Sequence, residues 1–293
     1  MIRIADEVRE ALAAGGAVVA LETTLVAHGF PPGEGVAVGL ESERQVRAGG
    51  AVPATVGVLD GEVRVGLTEE ELARFGPESR KAGPRDLAAA AVQEAAGATT
   101  VGGTLAVARK AGIRVLATGG IGGVHRGFPQ PPDVSADLAQ LARTAALVVS
   151  AGVKSRLDVP ATAELLESLG VPVLGFRTGT LPLFYAAAGG PPVSARVESA
   201  EEAARVAEAH WDLGGGGLLL GRPPDDPLDG VEPLVEEALA AAAAAGVSGQ
   251  AVTPYVLAHL HRESGGRTET ANKALVGQNA RLAGEVAVAL ASS

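Results

Sequence analysis

The sequence predicts an α/β fold, with helices on both faces of a mixed, mostly parallel sheet, and three observations carry that expectation. Short continuous apolar runs recur along the chain, among them AVVALETT, IRVLATGG, ALVVSAGVK, VPVLGFRT and GGLLLGRPP. Such runs read as parallel strands covered on both sides, because a strand with one wet face alternates instead. Between them lie segments with apolar residues at helical spacing, many stopped by glycine. Strand and helix patterns that alternate in this way build layered α/β folds. The third observation is a hairpin: ATVGVLDGEVRVGL holds two alternating runs joined at Asp60-Gly61, a pair suited to a tight turn. It adds antiparallel strands and makes the sheet mixed. A (β/α)8 barrel is the competing architecture, since the number of strands permits it.

In chain order, residues 3–15 form an amphipathic helix closed by glycines, and AVVALETT is a buried strand whose end turns Glu22, Thr23 and Thr24 outward. HGFPPGEG is a loop and VAVGLESERQVRAGG a helix. After the hairpin, TEEELARF carries Thr68 with Glu71 three residues on, the capping-box pattern. Lys81 stands before a Gly-Pro turn that leads into an alanine-rich helix ending at Gly97, and TTVGG opens onto the helix TLAVARKAG. IRVLATGG is a strand, SADLAQLARTA a helix and ALVVSAGVK a strand. The second half continues with TAELLESLG, SAEEAARVAEAHWDLG and VEPLVEEALAAAAAAG as helices around the strands VPVLGFRT and GGLLLGRPP. VTPYVLAHLHRESGG and TETANKALVGQNARLAGEVAVALA follow as helices. No fixed-period repeat and no linker rich in Ser, Gly or Pro divides the 293 residues, so one domain over 1–293 is expected.

Composition narrows the function. At 47% hydrophobic, the chain can bury a sizeable core. A net charge of −10 argues against nucleic acid and anionic membrane surfaces as partners. There is no cysteine, which excludes disulfides and thiolate metal sites and suits a reducing compartment. Neither a basic, apolar leader nor a run of membrane-spanning length is seen, so a soluble, cytoplasmic protein is expected.

The chemistry gathers around Val115 to Asp158. Lys154 sits at the mouth of the strand ALVVSAGV, in a chain with four lysines beside twenty arginines. Arginine neither loses its proton nor forms an imine, whereas a buried lysine does both. Glu22 lies in the apolar strand VALETT, where a charge is costly unless paired or placed at the strand end, and this makes it a functional candidate. Gly102-Gly103-Thr104 and the glycines at 119, 120, 122 and 123 mark strand-to-helix turns, where bare amides can hold phosphate. None matches a dinucleotide fingerprint or a P-loop. Other residues also have plain structural readings: Lys81 as a surface lysine, His125 as a cap or core histidine, Asp133 and Asp137 as helix caps. Asn272 and Asn279 read equally well as amides at the edge of the core, and His259 and His261 face different sides of a helix, which gives them no metal role. Together, the strand-end lysine, the isolated carboxylate, the His125-Arg126 loop and the glycine turns point to imine chemistry on a phosphorylated sugar.

At these residues the sequence resembles the pseudouridine-5′-phosphate glycosidases, whose relatives include the indigoidine-cluster A proteins. The matching pieces are ALETT with AHG, VGVLDGEVRVGL, Lys81 with RDL, GATTVGGT, ATGGIGGVHRG, DVSADL, VVSAGVKSRLDV and TANKALVGQNARLA, spread over about residues 17 to 285. One departure is visible: after His28-Gly29 the family reads Met-Pro-Tyr-Pro, and here the loop is FPPGEG. The resemblance implies a three-layer α/β/α sandwich, a homotrimer, and reversible cleavage of pseudouridine 5′-phosphate to ribose 5-phosphate and uracil. It also implies a divalent metal, typically Mn2+. By matching motif, Lys154 is the nucleophile, Glu22 the proton donor and Asp133 the metal ligand. Lys81, Val101 and the segment Ser135, Ala136, Asp137 are implied substrate contacts, with Thr118, His125 and Asn272 as additions. Two other readings remain: a class I aldolase on a phosphorylated sugar, which also needs a strand-end lysine, and a non-catalytic phosphosugar-binding protein.

Overall fold

The computed structural model describes residues 2–31, 33–129, 132–228, 230–247 and 252–292. The first elements are β1 (Ile2–Ile4), α1 (Asp6–Ala13), β2 (Val18–Glu22), α2 (Thr24–His28) and α3 (Gly35–Ala48). The hairpin strands β3 (Val52–Leu59) and β4 (Glu62–Val65) follow, with Asp60 and Gly61 at φ of 51° and 76°. Both central residues are thus left-handed, as a two-residue hairpin turn requires. Next come α4 (Glu69–Leu72), β5 (Arg80–Ala82), α5 (Leu87–Val92), β6 (Gly97–Thr99), α6 (Val101–Ala111), β7 (Val115–Ala117) and β8 (Val124–His125). Thr68 and Glu71 close the expected capping box on α4. The middle of the chain supplies α7 (Ala136–Ala142), β9 (Leu147–Ser150), β10 (Leu157–Asp158), α8 (Val159–Ser168), β11 (Val173–Phe176) and β12 (Ala195–Val197). The last elements are α9 (Ala200–Asp212), β13 (Leu218–Gly221), α10 (Val231–Ala244), α11 (Val252–Glu263) and α12 (Arg267–Ala291).

The main sheet runs β1-β4-β3-β2-β7-β9-β13-β11-β12, with β6 and β5 added at the far end of β3. Every pair from β3 through β2, β7, β9, β13 and β11 to β12 is parallel, while β4 and β6 run antiparallel to β3. Successive residues of the central strands face opposite layers, as the two-residue pleat dictates. Val19, Leu21, Val115, Ala117, Leu147 and Val149 join one core cluster with Val46 of α3, Ala203 of α9 and Ala283 of α12. Ala20, Leu116 and Val148 join the opposite cluster with Leu105 of α6, Leu138 of α7 and Leu166 of α8. Each fully buried Leu or Val stabilises by about 1.5–3 kcal/mol relative to exposure. The result is an open three-layer α/β/α sandwich with edges at β1 and β12, not a barrel. No helix among the described residues is long and apolar enough to cross a membrane.

The structure departs from the sequence reading in several short elements. Ile2–Ile4 is a strand paired parallel to β4, so the first helix starts at Asp6 and not at residue 3. Edge pairing decides there, because β4 offers free backbone groups that a helix would leave unpaired. Thr24, expected at the end of the strand, and His28, expected in the loop, both belong to α2. Lys81 lies on strand β5, and β8 pairs with β10 in a separate two-residue ribbon. The expected HGFPPGEG loop includes Pro32, which lies outside the described residues.

One layer depends on a glycine contact. A Cβ on Gly49, at the end of α3, would stand 2.4 Å from the Arg281 carbonyl oxygen and 2.9 Å from the Gly284 Cα. On Gly284 it would stand 2.7 Å from the Val46 carbonyl oxygen. Backbone meets backbone, so no side chain can swing aside to relieve the clash. Gly49→Val is therefore expected to destabilise the fold by ~1–3 kcal/mol through overpacking, read as a lower thermal midpoint. A variant that melts with the parent would show that the crossing has room.

Candidate active site

Open parallel sheets bind ligands beyond the carboxyl ends of their strands, and the chemical residues of this chain collect there. In β2, β7 and β9, Leu21 is level with Ala117 and Ala117 with Val149. Glu22, Thr118 and Ser150 are therefore neighbours at three adjacent strand ends. Past those ends the segments after β7 and β9 stay together: Ala151 N donates to Gly119 O at 2.9 Å, Ile121 N to Gly152 O at 3.0 Å, and Lys154 N to Ile121 O at 3.2 Å. Gly152 has φ +84° and a Cβ there would lie 2.1 Å from the Pro182 carbonyl oxygen, so the turn that presents Lys154 accepts only glycine. The Ser150 hydroxyl donates to Gly152 O at 3.0 Å and accepts from Gly152 N at 3.1 Å.

Glu22 is 6% exposed, and its Oε1 accepts a hydrogen bond from the Thr118 hydroxyl. Asn279 of α12 holds the Thr118 backbone in turn, donating from Nδ2 to Thr118 O at 2.9 Å. Burial pushes the Glu22 carboxyl above the ordinary carboxylate range, and the Lys154 cation and the Thr118 hydroxyl offset only part of that. The group is held toward its protonated form. Thr23 and Thr24, expected to face outward with it, are buried instead. Thr23 Oγ1 donates to Val56 O at 2.8 Å and Thr24 Oγ1 to Ala98 O at 2.9 Å, tying the end of β2 to β3 and β6.

Glu22, Lys81, Thr118, Lys154 and Asn272 line one cleft of about 680 Å3. Its polar side also includes His28, whose Nε2 is 3.1 Å from Ser79 O, and Arg156. Leu25, Phe184, Tyr185, Val256 and Leu260 form the apolar side. Lys81 is half-buried, and burial together with the nearby Lys154 and Arg156 cations lowers its amine to about 8.

Asp137 has a different place from the one a helix cap would give it. Ser135 caps α7 by accepting from Asp137 N at 3.2 Å. The buried Asp137 carboxylate takes Gly102 N at 2.7 Å on Oδ1 and Gly122 N at 2.9 Å on Oδ2. It pins the start of α6 to the loop after β7. A Cβ on Gly122 would lie 2.2 Å from Ser135 Oγ, which requires glycine at that approach. The amides of Gly102 and Gly122 are thus occupied, and Gly103 N donates to Thr100 Oγ1, so those three positions of the expected phosphate turns are already hydrogen-bonded within the fold. The Val101 side chain belongs to the core, which leaves its backbone as what it offers a ligand. Ala136 is the first residue of α7.

Asp133 and His125 stand apart from this cleft. His125 N donates to Asp133 O at 3.0 Å, and His125 Nδ1 lies 3.6 Å from Asp133 Oδ2. Both line a neighbouring cavity against α10, which shares Arg156 with the cleft. Among the described residues no group of three His, Asp or Glu side chains converges on one point. The donor set, a half-exposed carboxylate with a histidine beside it, fits a hard divalent ion that keeps most of its shell as water and ligand oxygens.

Sequence reasoning missed Arg156, His28 and the apolar wall from α11. Arg156 stands two residues after Lys154 but passes for an ordinary surface arginine among twenty. The wall is written as plain helix-core spacing in VLAHL, and nothing local says what it faces.

A three-layer α/β fold whose strand ends gather a buried carboxyl group, a lysine without a direct partner among the described residues and flanking cations has the form of an enzyme cleft suited to an anionic small molecule. The profile of the indigoidine synthase A like protein family matches residues 7–289, and the chain belongs to that family. A pseudouridine-5′-phosphate glycosidase of Herpetosiphon aurantiacus is 48% identical over 99% of this chain and 98% of its own. One from Streptomyces griseus is 49% identical over 99% of this chain and 92% of its own. The crystal structure of the prealnumycin C-glycosynthase AlnA in complex with ribulose 5-phosphate has a TM-score of 0.90 and 42% identity, covering 100% of this chain and 97% of that one.

The Lys81 shift has a definite sign. The folded chain holds this proton less tightly than the unfolded chain, so between about 8 and the ordinary 10.5 stability from this group grows as pH rises. With 13C-labelled lysine, one of the four lysine signals should titrate near pH 8. Lys154→Met should move that midpoint upward by removing a like charge. Four lysines that all titrate above pH 10 would contradict the crowded arrangement.

Proposed function

We propose that the protein cleaves the C–C glycosidic bond of pseudouridine 5′-phosphate, reversibly, to give ribose 5-phosphate and uracil. The observation that carries this reading is one cleft that holds both Lys154 and a buried Glu22 kept toward its acid form. The relatives that match over nearly the whole chain bear that activity in their names. Neither the aldolase nor the binding-protein reading has an observation in its favour that this one lacks.

The bond to be broken joins ribose C1′ to a ring carbon of uracil. An O- or N-glycosidase protonates a heteroatom leaving group, and here there is none. The C1′–O4′ bond of the furanose breaks as O4′ takes up a proton, and the Lys154 amine bonds to C1′ and gives up a proton. Glu22 then delivers its proton to the uracil ring carbon as the C1′–C bond breaks, and the nitrogen lone pair forms the iminium on Lys154. Water adds to C1′, the C–N bond breaks, and ribose 5-phosphate leaves with Lys154 and Glu22 ready to be restored. Thr118 orients the Glu22 carboxyl through its hydroxyl, and the apolar side of the cleft receives the base. Asn272, Lys81 and the start of α7 from Ser135 to Asp137 surround the sugar phosphate, with the Val101 backbone nearby. Asp133, with His125 beside it, would hold a divalent cation, manganese by family resemblance, which would neutralise phosphate charge. We further place the enzyme in the cytoplasm as a homotrimer built from single-domain chains.

Incubation with pseudouridine 5′-phosphate should release uracil, and borohydride added during turnover should fix a pentose-phosphate mass on the peptide that contains Lys154. Lys154→Arg keeps the charge but has no nucleophilic amine, and it should lose both activity and adduct. An adduct on Lys81, or an active Lys154→Arg enzyme, would overturn the assignment.

Glu22→Gln should still bind ribose 5-phosphate while C–C cleavage slows by ~10²-fold or more, the usual scale for a lost general acid. Normal turnover in this variant would make Glu22 structural and require another proton source.

A further inference from the structure

Arg156 is a guanidinium on which the acidic Asp133 and Asp137 act only through space. Among the described residues it makes no hydrogen bond and no ion pair, and its Nη1 is closed off from solvent with no partner. Arginines elsewhere are commonly engaged at the surface, as Arg126 is by Glu232 and Arg74 by Asp60. Arg156 as a whole is half-buried, and a desolvated guanidinium nitrogen left without an acceptor costs free energy, so the fold holds Arg156 in a state that a bound anion relieves. Its position says which anion. Arg156 is the residue shared by the cleft of Lys154 and Glu22 and the cavity of Asp133 and His125.

From this placement we infer that Arg156 is a binding residue for the substrate's phosphate monoester, gripping it where the two cavities meet while the reacting carbon faces Lys154 and Glu22. The inference rests on the proposed reaction for the identity of the substrate, but phosphate recognition is testable without turnover. A guanidinium presents paired N–H donors that match phosphate oxygens, which an ammonium does not. Lys81, which faces the cleft from β5, gives up its proton at about 8, and Lys154 is the proposed nucleophile, whereas Arg156, lowered by burial to about 10, keeps its charge throughout the neutral range. Three of the glycine amides that might otherwise cradle the phosphate are taken, Gly102 and Gly122 by Asp137 and Gly103 by Thr100. A permanent charge is left to Arg156.

Calorimetric titration of wild type and Arg156→Gln with ribose 5-phosphate, inorganic phosphate and unphosphorylated ribose tests this. The variant should bind both phosphates on the order of 10- to 100-fold more weakly, the scale of a hydrogen bond to a charged group, with ribose unaffected. In the wild type, ribose 5-phosphate should shield Arg156 from phenylglyoxal and ribose should not, read by peptide mass. This second measurement decides the matter even if Arg156→Gln does not fold. Equal phosphate binding by a folded variant, equal labelling of Arg156 with and without ribose 5-phosphate, or no binding of ribose 5-phosphate by wild type would each overturn the inference. Wild type that binds ribose 5-phosphate through Arg156 yet releases no uracil would sink the proposed reaction and leave the phosphate contact standing.

Discussion

The central strands are buried on both faces, and this constraint places the chemistry. Val18 to Glu22, Val115 to Ala117 and Leu147 to Ser150 have helix layers above and below, so no side chain along them reaches water. A charged or reactive group can enter such a strand only at its end. Glu22 and Thr118 sit at two of those ends, and Lys154 rides on the segment that continues the third. The register that packs apolar side chains into two layers is therefore the same register that sets the Glu22 carboxyl beside the Thr118 hydroxyl. Asn279, reaching from α12 to the Thr118 carbonyl, transmits the position of one helix layer to that hydroxyl.

Electrostatics in the cleft run against the rest of the molecule. The chain carries a net charge of −10, yet Lys81, Lys154 and Arg156 face one cavity. Asp133 and Asp137 offset this only in part. Glu22 is held toward its neutral form, and the Asp137 carboxylate spends both oxygens on backbone amides. A positive cleft in a negative surface draws an anionic small molecule inward while the surface repels polyanions such as nucleic acid.

The long-range plan of the fold was legible because it is written in patterns that tertiary contacts reinforce. Continuous runs such as LVVS gave the central strands, Asp60-Gly61 gave the hairpin, and Thr68 with Glu71 gave a helix start. Composition singled out Lys154, since a chain so rich in arginine has little reason to write lysine for charge alone. What stayed hidden is set by contacts between distant segments. Ile2–Ile4 becomes a strand only because β4 offers an edge, and the β8–β10 ribbon is too short to carry a period. Thr23 and Thr24 read as strand-end hydroxyls facing out, but carbonyls of β3 and β6 claim them. Asp137 read as a cap, and only the meeting of α6 with the loop after β7 shows it as a cross-link. The barrel stayed in contention because strand count does not reveal closure.

The dry cleft also explains how one environment prepares groups of opposite kind. Burial disfavours whichever form is charged, so it raises a carboxyl and lowers an amine. Glu22 shifts up and Lys81 shifts down, with burial the largest cause in both. One loss of water pushes the acid up and the amine down, and at Lys81 the neighbouring Lys154 and Arg156 cations add to it. Groups pushed apart in this manner mark acid–base assignments in enzymes generally. The same loss of water presents a problem for anion binding, since it weakens the hold of an ammonium on its own proton. A guanidinium starts from a higher value and, lowered to about 10 at Arg156, is still charged where the enzyme would work. A cleft dry enough to keep Glu22 an acid thus needs an arginine, not another lysine, to keep a fixed positive charge.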